Sequence, residues 1–77
     1  MNQAILFNDD LHFDQQHDAW SFTGQVSGQR ITLYFHSMQL KKLTEIDNGT
    51  KFDLEEVTES WLEENEPEGN EIHIELE

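Results

Sequence analysis

Two runs of alternating apolar and polar residues, separated by a tight turn, limit this chain to a fold built around a β-hairpin. The apolar members are Trp20, Phe22 and Val26 in the first run and Ile31, Leu33 and Phe35 in the second. Ser27-Gly28 lies between the runs, and glycine suits the second position of a primed two-residue turn. Pairing Val26 with Gln29 places all the large apolar side chains on one face.

This pairing makes a testable prediction for every other residue of the hairpin. The predicted pairs are Gly24–Ile31, Phe22–Leu33 and Trp20–Phe35 on the apolar face, and Ser21–Tyr34, Thr23–Thr32 and Gln25–Arg30 on the polar face. A slip of one residue would mix the two faces, so the pattern itself favours one register. Gly24 leaves room for a neighbouring ring to lie over the strand, unless it marks a bulge.

A main helix is predicted over about residues 54–65. Asp53 is the expected N-cap, Glu56 completes a capping-box-like arrangement, and Phe52 is expected to pack on Val57 as a hydrophobic staple. One apolar stripe runs along this helix and comprises Leu54, Val57, Trp61 and Leu62.

A shorter helix is predicted over Met38–Ile46, capped by Ser37, with Leu40 and Leu43 pointing inward. Lys41 and Glu45 are spaced for an i,i+4 ion pair on it. The segment Asp47-Asn48-Gly49 is interpreted as a turn that closes this helix.

Three further segments complete the predicted sheet. Glu71–Glu77 alternates strictly and predicts a half-buried strand with an acidic outer face. Ala4–Phe7 is a short predicted strand, and Leu11–Phe13 is either a strand or a loop. We therefore expect one α+β domain over residues 1–77, with a small, mostly antiparallel sheet of four or five strands and two helices packed on one face.

The charge of the chain is concentrated towards its C-terminal end. Seventeen acids face four Lys or Arg, the net charge is -13, and residues 53–77 hold eleven acids and no Lys or Arg. Such a surface repels phosphate, so direct binding to nucleic acid or to an anionic membrane is disfavoured. The chain has no cysteine, no secretory signal pattern and no apolar run long enough to span a membrane, so we expect a cytoplasmic protein.

The acidic face of Glu56, Glu59 and Glu63 is the candidate surface for a basic protein partner. A sharper version of this hypothesis is mimicry of nucleic acid, in which the carboxylates imitate phosphates. A rival hypothesis is metal binding by His12 and His17 with neighbouring aspartates, although their spacing matches no known closed site. Self-association through the polar sheet face or an unpaired strand edge would make a homodimer.

Catalysis has little support in the sequence. No serine lies in a nucleophile-elbow pattern, and no glycine-rich phosphate loop indicates a cofactor. His36 and His73 fall on the outward faces of their predicted strands, as ordinary surface histidines do. We therefore expect a non-catalytic interaction or regulatory module without a cofactor.

One segment resembles a known family. The residues 31–40, Ile-Thr-Leu-Tyr-Phe-His-Ser-Met-Gln-Leu, are similar to the strand-to-helix segment of a family of short bacterial proteins of unknown function. Further points of similarity are Phe7 with Asp9, Phe13-Asp14, Trp20–Phe22, Gly28 and Leu54-Glu55. The resemblance implies a small α+β domain and supplies no activity. Many members carry a cysteine at the position of Leu33. This chain lacks that cysteine, so the resemblance implies no thiol chemistry for it.

Overall fold

The computed structural model describes residues 5–76, which form one five-stranded sheet and two helices. The elements are β1 Ile5–Phe7, β2 His12–Asp14, β3 Ala19–Val26, β4 Gln29–His36, α1 Met38–Lys41, α2 Asn48–Glu64 and β5 Glu71–Glu75. The sheet order is β1-β3-β4-β5, and β2 also pairs with β3. The predicted α+β class and mostly antiparallel sheet are confirmed. Ala4 and Glu77, predicted as strand residues, lie outside the described residues.

The hairpin of β3 and β4 has the predicted register at every position. Val26 pairs with Gln29, and the six further pairs named above are all present. Ser27 and Gly28 both have positive φ values, 53° and 78°, as a primed turn of two residues requires. Alternation of side chains and the turn residues therefore predict the register of this hairpin correctly.

Gly24 allows β1 to approach β3 closely. A Cβ atom at this position would lie 3.0 Å from Ile5 Cδ1 and 3.1 Å from the Leu6 carbonyl oxygen. The ladder continues through Gly24, which pairs with Phe7 on one side and Ile31 on the other, so no bulge forms. The side chain that fills the space is Ile5, and the prediction of an aromatic ring there was wrong.

Helix α2 begins earlier than predicted. Asp47, not Asp53, is its N-cap, and the Asp47 carboxylate accepts a hydrogen bond from the Thr50 N–H at 2.8 Å. The predicted turn at Asp47-Asn48-Gly49 is therefore the cap and first helical turn. Phe52 consequently falls inside the helix and is 59% exposed, so the predicted staple with Val57 was wrong.

Lys51 explains in part why the first turns of α2 are stable. Its ammonium group lies 2.6 Å from Glu55 Oε2 and 5.1 Å from the centre of the Phe22 ring. Both side chains of the ion pair are largely buried, at 14% and 22% exposure. The ion pair and the cation–π contact add to the cap at a helix start that contains Gly49, a poor helix former.

Helix α1 is shorter than predicted and ends at Lys41. The Ser37 hydroxyl caps it by accepting from the Leu40 N–H, as expected. Leu40 packs against the core, but Leu43 is outside the helix and exposed. Lys41 binds Asp18 at 2.5 Å instead of the predicted Glu45, because the helix ends before that spacing is reached.

The core lies between α2 and the apolar face of the sheet. It is formed by Phe22, Val26, Ile31, Leu33, Phe35, Leu54, Leu62, Ile72 and Ile74, with Val57 and Trp61 half-buried against it. The predicted apolar stripe of α2 is thus confirmed. Neither helix within residues 5–76 combines the length and apolar character that crossing a bilayer requires. Strand β5 runs parallel to β4, which the crossover through α2 makes possible.

Candidate functional site

The outer face of α2 carries the predicted acidic surface. Glu56, Glu59 and Glu63 are all exposed, and they follow one another at spacings of three and four residues. Phe52 precedes Glu56 by four residues and so extends the same line along the helix. We call these four residues the acidic stripe. It combines one exposed aromatic ring with three carboxylates.

The cation nearest in sequence to the acidic stripe is already engaged. Lys51 pairs with Glu55 on the side of α2 that faces the sheet. Lys41 pairs with Asp18. No ion pair of the described residues involves a glutamate of the acidic stripe, so its negative charge is not compensated within residues 5–76.

Residues 9–18 form an acid-rich segment, and Asp10 within it binds the loop between β1 and β2 to strand β3. Its carboxylate accepts from the Thr23 N–H at 2.9 Å and from the Thr23 hydroxyl at 2.6 Å. Partial burial raises the pKa of Asp10, but the hydrogen bonds from Thr23 and the nearby Arg30 charge outweigh it and hold the pKa below its ordinary value. Asn8 completes the junction by donating to the Thr23 carbonyl and hydroxyl.

Asp14 and His12 also make local contacts. Asp14 accepts from the His17 N–H at 3.1 Å, which is the main reason that the pKa of Asp14 is lowered. His12 lies in β2, with its ring nitrogen 3.0 Å from the Asp10 carbonyl oxygen. Within residues 5–76, no group of three or more His, Cys, Asp or Glu side chains is arranged to hold a metal ion. The metal hypothesis for His12 and His17 therefore gains no ligand set from the fold.

A stack of four rings lies on the polar face of the sheet. His17 stacks on Tyr34 with centroids 4.1 Å apart, Tyr34 on His73 at 4.8 Å, and His73 on His36 at 5.1 Å. His36 Nε2 and His73 Nδ1 are 2.9 Å apart, so one imidazole donates to the other. Burial, followed by the charges of Glu71 and Asp14, raises the pKa of Tyr34. The stack covers part of the polar face and joins β4 to β5.

Sequence reasoning placed His36 and His73 on outward faces but missed their contact. The strand patterns put Tyr34, His36 and His73 on polar faces, yet they carry no information on which strands are neighbours. The stacking of His17 on Tyr34 was missed because His17 lies in a turn that folds back over the sheet. Phe52 was not predicted as a surface residue because Asp53 was the predicted N-cap, which placed Phe52 before the helix. The overlooked signal was Asp47, which lies three residues before Thr50 and caps the helix.

A solved crystal structure is similar to this chain over nearly its whole length. It is the structure of a protein of unknown function from Shewanella loihica PV-4 that belongs to the DUF1488 family. The two sequences are 31% identical, and the two structures superpose with a TM-score of 0.66. The similarity covers 96% of this chain and 94% of that chain. No family model matches the chain, and no curated protein is significantly similar to it.

Proposed function

We propose that this chain, which belongs to the DUF1488 family, is a non-catalytic cytoplasmic interaction module that binds a basic protein through the outer face of α2. Membership confirms the resemblance to a family of short bacterial proteins of unknown function. It supplies no activity, because the similar solved protein is itself of unknown function. The proposal therefore rests on the surface of this chain.

The observation that carries the proposal is the acidic stripe. Its three glutamates are exposed, and none is neutralised by a cation of residues 5–76. Phe52, 59% exposed beside them, offers the kind of aromatic anchor that interfaces bury. A structural role would not need an exposed ring and three like charges in one line, because like charges at these spacings destabilise a helix.

The chemistry of the stripe defines the partner. Lysine and arginine side chains would be attracted by the carboxylates, and an apolar side chain between them would cover Phe52. The attraction acts over about 8 Å at physiological salt, so binding should weaken as salt rises. Mimicry of nucleic acid is the special case in which the basic partner is itself a nucleic-acid-binding protein.

The proposal is tested by affinity capture from lysate of the source cells at low and high salt. The wild type is compared with Glu59→Gln/Glu63→Gln and with a control of equal charge, Asp9→Asn/Glu45→Gln, whose residues are exposed and lie outside α2. We expect a basic protein that the wild type and the control retain at low salt and that the stripe variant loses.

Two further measurements sharpen the result. Phe52→Ser should weaken binding of the captured protein while leaving the net charge unchanged. Adding DNA or RNA should displace the partner only under mimicry. If the control variant loses the partner as completely as the stripe variant, the contact depends on net charge alone and the proposal fails.

A further inference from the structure

A groove runs beside β5, between the outer edge of the sheet and the end of α2. Its volume is about 640 Å³. The lining includes Trp61, Glu64, Glu66, Glu68, Glu71 and His73. Trp61 is half-buried and packs against the core with part of its ring. The groove therefore offers an aromatic surface surrounded by four carboxylates.

The edge of β5 that borders this groove has no strand beside it in residues 5–76. The Thr32 N–H donates to the Asn70 carbonyl at 2.9 Å, and the Leu76 N–H donates to the His36 carbonyl at 3.0 Å. These bonds direct the backbone groups of residues 70 and 76 towards β4. Because neighbouring residues of a strand direct their backbone groups to opposite edges, the N–H and C=O groups of Glu71, His73 and Glu75 face outward.

The charge of the edge selects what pairs with it. A second copy of β5 would bring Glu71 and Glu75 against glutamates of the same kind, which is unfavourable. A strand with lysine or arginine at alternate positions would instead meet these carboxylates. The intervening side chains of that strand would lie on the opposite face, where Trp61 packs against the core and borders the groove, so apolar residues suit these positions.

We infer that the β5 edge binds a basic extended segment of another protein as an added strand, with cationic side chains over Glu71 and Glu75 and the intervening side chains beside Trp61 in the groove. This inference rests on the proposed function and adds its binding mode. Main-chain hydrogen bonds supply affinity in such complexes, and the alternate side chains supply specificity. The acidic stripe on α2 would contact the remainder of the same partner.

The test uses a fluorescently labelled peptide of about seven residues in which lysine and valine alternate, long enough to span β5. A second peptide has the same side chains but carries an N-methyl group on every peptide nitrogen, which removes the N–H donors of both edges and keeps the charge. Fluorescence anisotropy should show binding of the first peptide and binding weaker by about tenfold or more for the second.

Variants of the protein locate the binding. Glu66→Gln/Glu68→Gln should weaken binding of the first peptide by about tenfold, and the equally charged Asp9→Asn/Glu45→Gln by less than about threefold. Trp61→Leu should weaken it as well. The circular dichroism spectrum and the melting temperature of Trp61→Leu without peptide show whether this variant keeps its fold. Glu66→Gln/Glu68→Gln tests the inference without a change at Trp61.

The outcomes separate this inference from the proposed function. If both peptides bind equally, strand addition is wrong and attraction to basic partners stands. If no peptide binds but the acidic stripe still retains a basic protein, the β5 edge is not the site. If the protein alone sediments as a dimer that the peptide does not dissociate, a second copy occupies the edge and the inference is overturned.

Discussion

The carboxylates of Asp10, Asp14 and Asp47 and those on the outer face of α2 differ in what surrounds them. Asp10, Asp14 and Asp47 each accept a hydrogen bond from a backbone N–H, and each has a lowered pKa. Glu59 and Glu63 point into solvent and form no ion pair with the described residues. Residues of one chemical class thus hold the fold together in one region and leave charge available for a partner in the other.

Replacing Asp10 should have the largest effect on stability. Asp10→Ala leaves the Thr23 N–H and hydroxyl without their acceptor, and we expect a loss of about 1–2 kcal/mol, reduced by partial exposure to water. Urea unfolding measures it. The neighbouring Asp9, exposed in the same loop, is the control, and Asp9→Ala should change the free energy of unfolding by less than about 0.5 kcal/mol. Equal effects of the two substitutions would contradict the distinction between hydrogen-bonded and solvent-exposed carboxylates.

Replacing the helix cap should have a smaller effect. Asp47→Ala removes the acceptor of the Thr50 N–H, so the melting temperature should fall, though less than with Asp10→Ala. Asp53→Ala should leave it nearly unchanged because α2 already begins at Asn48. A larger fall for Asp53→Ala would instead place the helix start where the sequence pattern predicted it.

The pH dependence of stability should identify Asp10 as a structural carboxylate. Because its folded pKa lies below the unfolded value, its contribution is fully present above the unfolded pKa of about 3.9 and is lost as pH falls through the folded pKa. Asp10→Asn should therefore lower stability at neutral pH and flatten the dependence between about pH 5 and pH 2. Wild-type and variant curves that stay parallel over this range would contradict the assignment.

Neutralising the solvent-facing acids should have the smallest effect on the fold. Glu59→Gln/Glu63→Gln should change the free energy of unfolding by no more than about 0.5 kcal/mol, and in the stabilising direction, because it removes like-charge repulsion along α2. Thermal unfolding measures the change. A clear loss of stability would mean that these glutamates have structural partners, and the acidic stripe would lose its interpretation as a binding surface.

The strength of local signals explains how much of the fold was predictable. Every pair of the β3–β4 hairpin was predicted because side-chain alternation and a Ser-Gly turn act over adjacent residues. The start of α2 was not predicted, because Asp47 and Asp53 are both sound caps. The contact of Lys51 with Phe22, which supports the longer helix, joins residues that are far apart in the sequence. Glu56, Glu59 and Glu63 were correctly placed on the exposed face, since helical periodicity is unaffected by where the helix begins.

The amino-acid sequence by itself determined the two-faced hairpin, the apolar stripe of α2 and the sign of the surface charge. Tertiary structure alone decided that β5 lies parallel to β4, that His17 folds back onto Tyr34, and that His36 meets His73. The physical reason is the range of the interactions. Periodicity and capping act between residues a few positions apart, whereas strand order and ring stacking depend on segments that meet only after the chain has closed around its core.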